Sequence, residues 1–144
     1  MSYENWDPKK DDQKARAVKL HNNFGDMIQL AWCAWDEADR NTESFKRWFD
    51  EGDRDNVKKV MEKIVGPTTF EPTTLVKDWV CQQEDGGLCT GGKNAWSASN
   101  RGHWHMCPPG LAQPNTKDLK CSDLDGYASK KIKSIGFSMF HEIT

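Results

Sequence analysis

A mainly α, α+β domain is what this sequence predicts, on three observations. Residues 10–39 carry a long helical period. From Pro67 the helical period gives way to Thr, Gly, Pro, Ser and Cys. The last residues return to an apolar helical pattern after a turn-rich connection. A length of 144 residues suits one domain. The expected division is a flexible arm over 1–9, a helical part over 10–66, a Cys/Gly/Pro-rich β and loop part over 67–121, and a final helix within 122–144.

In the long helix Ala17, Leu20, Phe24, Met27, Ile28, Ala31, Trp35 and Ala38 recur at steps of three and four, which puts them on one face. Gly25 weakens this pattern locally without breaking it. His21 lies beside the stripe and reads as a surface or core-edge residue. Asn41 or Thr42 is a suitable N-cap for a short helix reaching Asp50, with Phe45, Trp48 and Phe49 as its apolar side. Residues 50–55 are acidic but lack the spaced ligand set of a calcium loop, so they read as a solvated turn. Asp55 or Asn56 then starts a third helix with the stripe Val57, Val60, Met61 and Ile64, stopped by Gly66-Pro67.

Strands are expected at 74–81, 95–99 and 102–106, separated by the turn signals Gly86-Gly87 and Gly91-Gly92. Cys107-Pro108-Pro109-Gly110 opens a turn-rich connection. Ser122, Asp123 or Asp125 caps a last helix over about 127–144, with Ile132, Ile135, Met139 and Ile143 in one row.

A formal net charge of −2 argues against a partner recruited by bulk charge, so neither nucleic acid nor a membrane surface is expected. No apolar run is long enough to span a bilayer. Met1-Ser2-Tyr3-Glu4-Asn5 lacks the apolar core of a secretion leader. Five cysteines, four of them in the loop-rich half, nevertheless point to an extracellular protein; the alternative is five reduced thiols in a cytosolic one. Local pairing, Cys81 with Cys89 and Cys107 with Cys121, is the expectation, leaving Cys33 over. No N-x-S/T sequon adds support.

Two places could carry chemistry. The final helix ends in His141-Glu142-Ile143-Thr144, the first four letters of H-E-x-x-H. In that signature histidines one turn apart bind zinc and the glutamate is the general base. His141 would then be a zinc ligand and Glu142 would take a proton from the attacking water. The second place is Arg101-Gly102-His103-Trp104-His105-Met106. In a strand His103 and His105 point the same way and could share a metal; equally, they could be unrelated surface histidines flanking a core Trp104. No G-x-S-x-G elbow and no phosphate-binding glycine loop occurs.

The order of these elements resembles the fungal deuterolysin-like zinc peptidases (aspzincins). That family includes peptidyl-lysine endopeptidases and related non-peptidase antigens and zinc-scavenging proteins. The resemblance is carried by helices first, a Cys/Gly-rich middle, Cys107-Pro108 after an aromatic and histidine strand, and the apolar helix into His141-Glu142. It is specific over about residues 102–144. It implies a zincin-like fold, Zn2+ as cofactor, a protein or peptide substrate, and a secreted, monomeric metallo-endopeptidase. It also implies a second histidine and an aspartate as further zinc ligands. Neither has a counterpart in these 144 residues. The expectation is therefore the N-terminal part of a longer catalytic domain, inactive by itself. The alternative is a non-catalytic secreted antigen, effector or zinc-binding protein on the same scaffold.

Overall fold

The computed structural model describes residues 1–66, 68–69, 71–83, 87–98, 102–119 and 133–143. Its architecture is α+β: helices packed on a small four-stranded sheet. The organising element is helix α1, Asp11–Asp39. Asp11 and Asp12 sit in its first turn, where the helix dipole favours negative charge. Leu20, Phe24, Met27, Ile28, Ala31 and Ala38 of the expected stripe are buried, and His21 is exposed.

The other end of α1 carries no basic residue in its last turn. Arg54 supplies the charge from a distance. It opens α3, Arg54–Glu62, and its guanidinium donates to the backbone carbonyls of Ala38, at 2.7 Å, and Asp39. Lys58 adds an ion pair to Asp39 at 2.6 Å and stands over the Trp35 ring. Between these helices lies α2, Glu43–Lys46, whose N-cap Thr42 accepts from the Phe45 N–H at 3.2 Å. This helix is shorter than expected. Only Phe45 enters the core, while Trp48 and Phe49 remain about half exposed at 48% and 45%.

The sheet runs in the order β1-β2-β4-β3. Strand β2 is Val80–Gln82, β3 is Ala95–Ala98 and β4 is His103–Met106. The expected arm at 1–9 instead supplies the outer strand β1, Ser2–Glu4, parallel to β2. Tyr3 and Trp6 hold it there: the Tyr3 hydroxyl donates to Ala17 O at 3.0 Å and the Trp6 indole to Cys81 O at 3.0 Å. Burial of Tyr3 raises the pKa of its phenol, helped by nearby Cys81. The expected strand at 74–81 is also revised. Its first half is a helical turn, α4, Thr74–Lys77, which follows Pro72-Thr73. The Lys77 N–H bonds to Thr73 O at 2.9 Å, so β-branched residues here continue a turn.

The core is one cluster between α1, α3, the sheet and the last helix, α6, Ile135–Ile143, which follows the short α5, Pro108–Leu111. Cys81 and Trp104 are paired across β2 and β4 and point into it. Helix α6 begins at Ile135, and the capping segment expected at 122–125 lies outside the described residues. Ser134 caps it: its hydroxyl accepts from the Phe137 N–H at 3.3 Å.

Candidate functional site

Polar groups around the first turn of α6 tie its start to α1. Asn23 of α1 is fully buried. Its amide donates to Asn115 Oδ1 at 2.9 Å and its Oδ1 accepts from the Thr116 N–H at 3.1 Å. The Thr116 hydroxyl lies 2.8 Å from the Ser134 hydroxyl and accepts from the Gly136 N–H at 3.1 Å. Gly136 has no room for a side chain: an added Cβ would sit 2.3 Å from Thr116 Oγ1 and 3.3 Å from Asn23 O. One chain of hydrogen bonds thus runs from the middle of the long helix to the start of the last one. A buried amide with every partner made specifies a geometry that apolar packing alone leaves loose. Ser138, one turn on, donates to Gln113 Oε1 at 2.8 Å.

At the far end of α6, His141 is exposed and Glu142 half-buried. Both line a cleft of about 620 Å³ together with Lys93, Asn94, Ala95, Gln113, Ser138 and Phe140. Ala95 is the first residue of β3, the edge strand on the side of the sheet away from β1. Cys107-Pro108-Pro109-Gly110 closes beneath it. The Cys107 N–H bonds to Asn94 O at 2.8 Å, and a Cβ on Gly110 would lie 2.1 Å from that same oxygen. The cleft therefore joins the end of α6 to a strand edge.

The other two histidines sit elsewhere. His103 and His105 share the face of β4 opposite Trp104, with Gln82 of β2 between them. The Gln82 side-chain amide lies 3.1 Å from His103 Nδ1 and also donates to Glu4. The Gln82 carbonyl lies 2.7 Å from His105 Nδ1. His105 is stacked on Trp96 of β3. One of its ring nitrogens and the sulfurs of Cys89 and Cys107 all lie within 4.8 Å of one another. Among the described residues this is the one set of three His, Cys, Asp or Glu groups close enough to hold a metal ion, and His141 and Glu142 are outside it.

The disulfide is a correction. Cys89 pairs with Cys107, in place of the expected Cys81–Cys89 and Cys107–Cys121. Cys121 lies outside the described residues. Cys81 cannot reach a loop partner because its side chain points into the core, where burial pushes its thiol up to about 12. Cys33 is exposed and unbridged, as expected. No sequence signal distinguishes Cys107's partner, since the pairing depends on β4 bringing residue 107 back beside the loop before β3. Cys89 as a companion of His105 was missed for the same reason.

No described helix is long and apolar enough to cross a membrane. Comparison of the chain with protein-family models, with curated proteins and with solved structures finds no match in any of the three.

Proposed function

We propose that this chain carries the N-terminal part of a secreted, deuterolysin-like zinc metallo-endopeptidase domain with a zincin-like fold. The observation behind the proposal is the cleft that His141 and Glu142 share with the first residue of the edge strand β3. A base at a helix end beside an edge strand suits peptide hydrolysis. An extended peptide adds to such an edge through main-chain hydrogen bonds, with no demand on its side chains. Glu142 then takes a proton on a carboxylate oxygen from the attacking water and returns it to the leaving nitrogen.

Zinc, when bound, supplies Lewis acidity and a water that ionises near neutral pH. His141 is an apt ligand for it. One imidazole falls short of the three protein ligands a catalytic zinc takes. The resemblance implies a histidine and an aspartate as the remaining ligands.

The test uses the polypeptide carried through to its natural C-terminus. Glu142→Gln is expected to lower peptide hydrolysis by about 10²–10⁴-fold with zinc content unchanged. His141→Ala is expected to lower both. Chelator-sensitive hydrolysis that survives Glu142→Gln at the wild-type rate overturns the reading. A second reading, a non-catalytic secreted metal-binding protein or antigen, is favoured by the Cys89–His105–Cys107 group. It predicts no hydrolysis and, in protein whose Cys89–Cys107 bond is reduced, metal content that follows His105 and ignores His141.

A further inference from the structure

We propose that the Cys89–Cys107 disulfide is the closed form of a redox-gated metal site. On reduction, Cys89, Cys107 and His105 together take one thiophilic divalent cation of the zinc class. This is independent of the peptidase reading, whose residues it does not use.

Three observations carry it. The ligand set is already assembled, with two sulfurs and an imidazole nitrogen within 4.8 Å of one another. A two-thiolate, one-imidazole set suits zinc and its analogues better than hard cations. Next, the tautomer of His105 is set by its backbone contact, which leaves one ring nitrogen for a metal. A carbonyl oxygen only accepts, so the 2.7 Å contact to Gln82 O makes Nδ1 the protonated nitrogen and leaves the lone pair on Nε2. The Trp96 ring, stacked at 6.1 Å, fixes the plane of the imidazole. Finally, the movement needed is small. Two sulfurs on one tetrahedral zinc stand roughly 3.8 Å apart, from Zn–S bonds of about 2.3 Å. Cys107 is anchored by its N–H to Asn94, whereas Cys89 lies in a loop between Gly87 and Gly91, both at positive φ. The loop can supply that separation while β4 stays in place.

The chemistry balances. Two equivalents of a thiol reductant break the S–S bond and leave as their own disulfide, giving two protein thiols. Metal binding displaces a proton from each thiol, so two protons leave per ion. Cys81 is not a fourth ligand, since it is buried on the opposite face of the sheet. With three protein ligands the fourth position is open to water or an external ligand.

The experiment is an anaerobic cobalt(II) titration of the full chain carrying Cys33→Ser and Cys121→Ser, before and after phosphine reduction. Reduced protein is expected to take one equivalent with thiolate-to-cobalt charge-transfer absorption, and oxidised protein to show none. His105→Ala should weaken binding tenfold or more, and His105→Cys should restore it with a stronger thiolate band. The same reduced chain in urea serves as reference, and the folded site should bind at least tenfold more tightly. No thiolate band on reduction, affinity unmoved by His105→Ala, or equal affinity in urea overturns the proposal.

Discussion

The helical half and the cysteine-bearing half of this molecule are held together by different means. Along α1, α3 and α6, residues three and four apart enter one core, so each helix is oriented by a stripe written in consecutive turns. The sheet is built from strands of three and four residues drawn from positions 2, 80, 95 and 103 onward. No such strand is stable alone, and each depends on a distant partner. The disulfide spans 18 residues and ties the loop before β3 to the strand after it. Periodic burial builds the frame that carries His141 and Glu142, and long-range pairing builds the surface that carries the Cys89–His105–Cys107 group.

That contrast can be broken or sharpened by substitution. Leu20→Ala empties a site only 1% exposed on the core face of α1 and should cost about 2–5 kcal/mol in urea unfolding. Cys89→Ser removes the cross-link and should cost about 3 kcal/mol. Its signature in hydrogen exchange is earlier opening of β3 and β4 than of α1. Equal loss of protection in α1 would mean that the halves do not differ. Thr42→Ala removes the cap of α2 and should cost about 1 kcal/mol, with the sheet's exchange unaffected. The smallest effect belongs to Asp39, whose carboxyl is held below its usual range chiefly by the Lys58 hydrogen bond, against some desolvation. A depressed carboxylate stabilises the fold above its unfolded value and loses that contribution as pH falls through the folded value. Asp39→Asn should therefore lower stability slightly at neutral pH, leave it unchanged below the folded value, and so flatten the acid side of the stability curve.

The same contrast explains how much could be read in the sequence. Leu20, Phe24, Met27, Ile28 and Ala31 were legible because helical burial repeats locally. Asn23 was not: a polar residue on an apolar stripe looks like surface until Asn115 and Thr116 arrive to satisfy it. The strand at Ser2–Glu4 was hidden because its partner lies some eighty residues on, at Val80–Gln82. The strands at 95 and 103 were legible from β-rich runs between glycine turns, and their register was not. For the sites, His141-Glu142 stood out as a contiguous motif. The Cys89–His105–Cys107 group could not, since nearness in sequence favoured the wrong cysteine pairs.

The central claim is that the end of α6 is a zinc-peptidase helix. It is tested most directly by intact mass and C-terminal peptide mapping of the native protein from its source. The account predicts a chain that continues past Thr144 with histidine as the very next residue, completing H-E-x-x-H one turn after His141. A native chain that ends at Thr144, or continues with a residue that cannot bind zinc, contradicts it.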